Sequence, residues 1–468
     1  MLPDKLRLSR EEMRSLGYAV IDTLIEHCDA PPTAGPGGKG QRPALEAILR
    51  EPPPARGADP LALLRLLEQS VFSTMRQVDH PRFFAFVPAP GNFVSAMADA
   101  LASGFNSFVG TWFSGSGPSE VELVTIDWLR ELCGLPETAG GLFVSGGSLA
   151  NLTALAAARN RRLGYDLSEA TIYFSDQAHS SVDRALRLLG FAPAQTRRLA
   201  SDASFRLPLE VLAREVKADR KAGRRPFCVV ANAGATNTGA VDPLPDLVEF
   251  CRRENIWLHA DGAYGAASVL CAEGKRALAG LGEVDSLSLD PHKWLFQPFD
   301  IGCVLLRDRD LLKNAFRITP EYLRDVHRFE EEVNFCDYGL ELTRGFRALK
   351  LWFSLKTFGL DAFAAAIEHG IRLAEFAERR LRDRAEWEIV SPAQLAVVTF
   401  RYAPAGRSRK ELDTLNQQLV AAFQADGFAT IASTTLRGAA VLRLCTTNPR
   451  TTESDLLETI ARLERLAG

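Results

Sequence analysis

The chain has 468 residues, 46% hydrophobic and 24% charged, with a formal net charge of −3. That is the make-up of a folded globular protein with room for one large domain and one or two smaller ones. It gives no electrostatic footprint for nucleic acid or an anionic membrane and no apolar run long enough to span a bilayer, and its eight cysteines contain no Cys-x-x-Cys pair to hold zinc or frame disulfides.

The opening residues Met1-Leu-Pro-Asp-Lys-Leu-Arg7 have no apolar core of a secretion signal, so a reducing cytoplasm is the expected location. Residues 9–28 read as a helix: Ser9 and Glu12 form a capping box, and Met13, Leu16, Val20 and Leu24 recur at helical spacing. Pro31 to Gly40 is too rich in proline and glycine for any regular element. Helices are expected at 43–50 and 59–77, with a proline-rich turn at 52–54 between them. This first segment, 1–78, has little sequence for a core of its own and is expected to lie across a second subunit. The stretch His80-Pro-Arg-Phe-Phe-Ala-Phe-Val-Pro-Ala-Pro-Gly-Asn92 follows, in which Phe83, Phe84 and Phe86 are either core or pocket lining. Gly110-Thr-Trp112-Phe-Ser-Gly-Ser-Gly-Pro118 repeats that texture before a helix over 120–132.

From 140 to 306 short β-rich runs alternate with helical patterns. The runs are Leu142–Ser145, Thr171–Ser175, Phe227–Ala231, Ile256–Ala260, Ser286–Leu289 and Gly302–Leu306. Such alternation predicts a mostly parallel α/β sheet whose ligands gather at the carboxyl ends of the strands. From about 350 a long helical region reaches Leu381. Short strands near 387–390, 396–402, 428–433 and 439–445 then mix with helices at 409–425 and 452–466, a small α+β domain. The expected division is a helical segment 1–78, a large α/β domain 79–350 and a small domain 351–468.

Five polar signals fall just after predicted strands. Ser145-Gly146-Gly147-Ser148 opens an Ala/Leu-rich helix, where glycines allow close approach and a helix N-terminus offers N–H donors to a phosphate; a plain tight turn is the alternative. No lysine follows the second glycine and the Gly-x-Gly-x-x-Gly spacing is missing, so this is neither a Walker loop nor a dinucleotide fingerprint. His179 either stacks on a flat cofactor and moves protons or caps the next helix. Thr236 offers a hydroxyl in a small-residue loop. Asp261 either keeps a pyridine nitrogen protonated or caps a helix, and His259, on the same strand face, is its expected supporting partner. Lys293, in Asp290-Pro-His292-Lys293-Trp294, ends a buried run, where desolvation favours a neutral amine; a surface lysine with a buried stem is the alternative. A phosphate turn, a stacking His, an Asp and a Lys, in that order, are the inventory that pyridoxal 5′-phosphate (PLP) needs. No metal site is expected.

With these motifs the chain resembles the group II PLP-dependent amino acid decarboxylases, the aromatic-L-amino-acid decarboxylase family. The likeness spans nearly all of the sequence. It is carried by His80-Pro-x-Phe-Phe-Ala-Phe86, Ser145-Gly-Gly-Ser148, Trp257-Leu-His-x-Asp261-x-Ala263-Tyr264, Asp290-Pro-His-Lys293-Trp294 and Arg344-Gly-Phe-Arg-Ala-Leu-Lys-Leu-Trp352. The resemblance implies fold-type I and a homodimer with active sites at its interface. It implies decarboxylation of an L-amino acid, with Lys293 as the internal Schiff base, Asp261 on the pyridine nitrogen and His179 stacked on the ring. The turn Ser145 to Ser148 would hold the phosphate, Thr236, Ala263, Asp290 and His292 would line the cofactor site, and Phe86 and Trp112 lie in segments that shape the substrate pocket. Three departures stand out. Asp290 replaces the Asn of animal aromatic decarboxylases, and a carboxylate near a phosphate needs a proton or a cationic neighbour. Pro88-Ala-Pro-Gly-Asn92 lacks a Thr that contacts the substrate in those relatives. The closing-loop segment Asp325 to Leu342 is shorter, with Tyr338 the nearest match to the loop tyrosine. An aldehyde synthase, which decarboxylates and then deaminates oxidatively, and a catalytically silent PLP-binding homologue are the alternatives.

Overall fold

The computed structural model describes residues 6–29, 35–87, 90–318 and 332–467. Its large sheet has seven strands: β1 (Gly140–Val144), β2 (Ala170–Ser175), β3 (Thr196–Leu199), β4 (Arg225–Asn232), β5 (Trp257–Asp261), β6 (Ser286–Leu289) and β7 (Gly302–Leu306). The order across the sheet is β1-β7-β6-β5-β4-β2-β3. The strands from β6 through β3 are parallel to one another, and β7 runs antiparallel to both β6 and β1. Every residue of β1, β2, β5, β6 and β7 is buried. This is the burial of a sheet covered on both faces, and it is why these strands read as continuous apolar runs. β3, Thr196-Arg-Arg-Leu199, has no such run in the sequence because it is an edge strand with one buried residue.

The small sheet is antiparallel, β8 (Trp387–Gln394), β9 (Val397–Tyr402), β10 (Ala432–Leu436) and β11 (Ala439–Cys445), in the order β10-β11-β9-β8. Its core of Val398, Phe400, Phe423, Leu442 and Leu444 is separate from that of the large sheet. One covering helix, Arg409–Asp426, starts at a Ser408/Glu411 capping box and stops at Gly427, whose φ of 77° suits only glycine without strain. The helix Ala348–Arg382 joins the two domains and bends at Gly359. Residues 80–87, grouped with the large domain from sequence, run along the small sheet: the Phe84 N–H donates to the Thr430 carbonyl (2.7 Å), and the Phe84 carbonyl accepts from Cys445 N–H (3.0 Å). Phe83 and Phe84 are buried, Phe84 within the small-domain core, whereas Phe86 is exposed.

The N-terminal helices Arg10–Asp29, Arg42–Leu49 and Pro60–Leu66 bury no residue against the rest of the described chain. Met13, Tyr18, Ile25, Ile48 and Leu63 stand exposed on them. The helix expected to run to 77 loses its regular form after Leu66 and continues as short π and 3-10 turns to Thr74. The helix expected from 120 begins at Trp112 and passes through Gly115 and Pro118, with Gly115 off helical geometry.

Under β1 lies a fully buried ion pair. Arg344 Nη2 is 2.6 Å from Glu122 Oε1, and both side chains are 0% exposed. Arg344 also donates to the carbonyls of Val109 (3.1 Å) and Phe143 (2.6 Å), while Glu122 accepts from Phe143 N–H (3.0 Å). The pair therefore ties the helix Trp112–Leu132 and the segment before Ala348 to the strand that leads into the Ser145 turn. Among the described residues no helix is long and apolar enough to cross a membrane, and no cluster of His, Cys, Asp and Glu is arranged to hold a metal.

Candidate active site

The carboxyl ends of β1, β2, β4, β5 and β6 open onto one cavity of about 370 Å³. This is the place where parallel sheets bind ligands, and the size suits a small molecule. Ser145, Gly146, Gly147 and Ser148 reach it from β1, His179 from β2, Thr236 from β4, Asp261 and Ala263 from β5, and Asp290, His292 and Lys293 from β6. Residues read separately along about 150 positions are thus brought together by strand order alone.

Asp261 is held by three donors. Asn151 Nδ2–H lies 2.9 Å from Oδ2, and the Ser288 hydroxyl and Ala263 N–H lie 3.2 Å from Oδ1. His259 does not touch Asp261; it reaches it through Asn151. Because a carboxylate only accepts, the Asn151 amide nitrogen must face Asp261, so the Asn151 oxygen faces His259 Nε2 (3.0 Å). That nitrogen carries the hydrogen. Burial lowers the His259 pKa, so the ring is neutral and Nδ1 accepts from the Ser286 hydroxyl (2.8 Å). Ser286 in turn accepts the indole N–H of Trp257 (2.8 Å).

The second Asn151 amide hydrogen goes to Ser181 Oγ (2.9 Å), whose O–H donates to His179 Nδ1 (2.8 Å). Ser181 N–H also points at that nitrogen (3.3 Å), which makes His179 the N-cap of the helix Ser180–Leu188. His179 therefore caps the helix, one of its two sequence readings, while its ring also lines the cavity. Burial lowers its pKa, with nearby Asp261 opposing, so its proton sits on Nε2. Asn151 and Ser181 were given no role from sequence. A trace existed, because Asn151 is a lone amide on a helical face of Ala150, Ala154 and Leu155 and is itself buried.

Lys293 Nζ lies 3.0 Å from Asp290 Oδ2, and His292 donates from Nδ1 to the Ile301 carbonyl (2.7 Å). Trp294, the neighbour of Lys293, stacks on Tyr264 with ring centres 5.1 Å apart, and the Tyr264 hydroxyl accepts Ala396 N–H (2.9 Å) from the small domain. The lysine turn is thereby fixed against both domains.

Three residues expected at the site stand elsewhere in this chain. Tyr338 is buried against Phe335, with Lys313 Nζ 5.4 Å from its ring centre, and does not line the cavity. Like its ring partner Phe335, it belongs to the large core instead. Phe86 is exposed, with its carbonyl held by Arg443. Trp112 is half-buried at a helix start, its N–H on Asn334 Oδ1 (2.9 Å). Pro88 and Ala89 of the segment lacking Thr, and 325–331 of the closing loop, lie outside the described residues.

The glycines test whether an aldehyde cofactor with a phosphate fits. A Cβ on Gly146 would meet His292 Cε1 at 3.0 Å, and one on Gly147 would meet Ala263 Cβ and Asp290 Oδ2 at 2.8 Å. The turn admits no side chain, and the 17-residue helix Gly147–Leu163 begins with no side-chain cap, leaving its first N–H groups for an anion. An amine, a carboxylate and a flat-sided imidazole face the same space. The residues fit PLP.

Comparison with known proteins agrees. Residues 48–403 match the family model of the pyridoxal-dependent decarboxylase conserved domain. An aromatic-L-amino-acid decarboxylase of Bacillus atrophaeus is 47% identical, covering 100% of this chain and 98% of that one. A phenylacetaldehyde synthase of Arabidopsis thaliana is 29% identical, covering 96% and 95%. The crystal structure of Oryza sativa TDC with PLP and tryptamine superposes with a TM-score of 0.92 at 29% identity, covering 98% of each chain. With the family model spanning most of the sequence and the lysine, aspartate and glycine turn in one cavity, the chain belongs to the pyridoxal-dependent decarboxylases and is a PLP-dependent amino acid carboxy-lyase of fold-type I.

Proposed function

We propose that this enzyme decarboxylates aromatic L-amino acids to their amines, in a homodimer whose N-terminal helices clasp the partner subunit. The observation that carries the chemistry is the convergence of Lys293, Asp261, His179 and the glycine turn on one cavity. The aromatic preference rests on the 47% identical relative. The dimer rests on three helices that fully bury no residue among the described residues and leave Met13, Tyr18, Ile25, Ile48 and Leu63 exposed.

When bound, PLP supplies an electron sink for the pair left at Cα as CO₂ departs. The chain's residues do the rest. Lys293 would hold the aldehyde carbon and release it to the substrate amine. Asp261, with three donors fixing its oxygens, would hold a proton on the pyridine nitrogen. His179, neutral and bearing its proton on Nε2, would cover the ring face, and either it or Lys293 would return a proton to Cα. The first turn of Gly147–Leu163 would bind the phosphate.

Asp261→Ala is expected to weaken PLP binding and to lower kcat by roughly a hundredfold to ten-thousandfold, the range for a positioned acid–base group. Fluorescence titration with PLP and steady-state kinetics check it, and unchanged values for both would remove Asp261 from this role.

The substrate is read out by mass spectrometry. PLP-loaded protein is offered Phe, Tyr, Trp, Dopa, Glu, Asp and aliphatic L-amino acids separately, with peroxide followed in parallel. The expected result is an amine from an aromatic substrate without peroxide. An aldehyde with matching peroxide would move the protein to the oxidative alternative, and an amine from Glu or Asp alone would overturn the aromatic preference.

A further inference from the structure

Asn151 stands on the helix Gly147–Leu163 and is 1% exposed. An amide side chain offers two hydrogens and one oxygen, and here all three are committed. One hydrogen goes to Asp261 Oδ2 (2.9 Å) and the other to Ser181 Oγ (2.9 Å), while the oxygen receives His259 Nε2–H (3.0 Å). Asn151 lines the cavity, yet it has no hydrogen left for a ligand. Whatever it does there it does through its partners.

The two oxygens of Asp261 are not equivalent. Oδ1 accepts from the Ser288 hydroxyl and from Ala263 N–H, both at 3.2 Å. Oδ2 accepts from Asn151 alone among the described residues. A carboxylate oxygen has room for two donors, so Oδ2 is the one with a place open for a protonated ring nitrogen. The donors on Oδ1 pin one oxygen and leave the carboxyl free to pivot about it. The Asn151 hydrogen bond removes that freedom. The amide is itself held against reversal, because turned over it would set its oxygen against Asp261 and its N–H against the hydrogen on His259 Nε2.

We propose that Asn151 is a positioning residue for the reaction: it aims Asp261 Oδ2 at the ring nitrogen of PLP and so keeps the proton on that nitrogen. This rests on the cofactor reading given above. A carboxylate aimed at the nitrogen favours the protonated ring, and the protonated ring is the better electron sink. Loss of the aim falls on the step that needs the sink and spares substrate capture, so kcat carries it and KM does not.

Asn151→Leu keeps the branching of the side chain and withdraws the N–H. PLP labelled with ¹⁵N in the ring is bound to the wild type and to the variant. Solid-state NMR then reads the ring nitrogen, whose resonance differs widely between the protonated and the neutral form, and steady-state kinetics are measured on the same preparations. Borohydride reduction and peptide mass spectrometry establish that both hold PLP at Lys293. In the variant the resonance is expected to move toward the neutral position. Its kcat is expected to fall by about tenfold to a hundredfold, the weight of one hydrogen bond to a charged group, with KM near that of the wild type. Asn151→Ser, too short to reach Asp261, serves the same comparison if Asn151→Leu does not fold. A variant that holds PLP at Lys293 with an unmoved resonance, or with its loss carried in KM, would overturn the proposal and leave the decarboxylase standing. Failure of the wild type to bind PLP would overturn both.

Discussion

Lys293→Ala is expected to lower amine formation by roughly four orders of magnitude or more, because no other amine in the cavity can take its place. Lys293 is the only lysine among the described residues lining the cavity. The variant keeps the glycine turn, Asp261 and His179, so it is expected to bind PLP more weakly without losing it altogether. Two measurements separate the roles. Steady-state amine production reports the chemistry, and borohydride reduction followed by peptide mass spectrometry reports the attachment. In the wild type the added mass belongs on the peptide carrying Lys293, and in the variant it disappears. Turnover within tenfold of the wild type would place the chemistry on another residue.

Glu122→Ala is expected to destabilise the fold by about 3–5 kcal/mol, the cost of leaving a buried charge without its partner. Arg344 would lie fully buried, with only two carbonyls and the face of Phe335 for company. Phe143 N–H would lose its acceptor as well. Replacing both members by Met removes the stranded charge and is expected to recover part of the loss. Recovery stays partial because the carbonyls of Val109 and Phe143 and the N–H of Phe143 then lack partners. Urea denaturation of the PLP-loaded enzyme compares both variants with the wild type. A loss below about 1 kcal/mol for Glu122→Ala would mean that water reaches the pair.

The sequence made the large sheet legible because parallel strands buried on both faces must be apolar throughout, and punctuation by glycine and polar turns falls where ligands bind. Lys293, Asp261 and the Ser145 turn were visible for that reason. β3 was not, since an edge strand is free to carry Arg197 and Arg198. The strand expected at 428–433 forms at Ala432–Leu436, because residues 428–430 instead meet Arg82 and Phe84 from the far end of the chain. Such a contact spans more than 340 positions and leaves no local period to read. The same holds for Asn151. Its value lies in standing between Asp261, 110 positions on, and Ser181, 30 positions on, which only the fold reveals. Phe86 and Trp112 belong to surfaces that one chain leaves open, so their meaning depends on what covers them.

The row of polar groups from Trp257 to Asp261 has one further property. Its two ends are incapable of reversal: an indole can only give a hydrogen and a carboxylate can only receive one. Everything between them, Ser286, His259 and Asn151, has a single self-consistent arrangement. A row ending in two hydroxyls would have two senses of equal count and would drift between them. This one is wound in one direction like a ratchet, and its branch through Ser181 passes the same sense on to His179. Trp257 enters β5 and Asp261 leaves it, so the strand specifies at its first residue the orientation that its last residue needs.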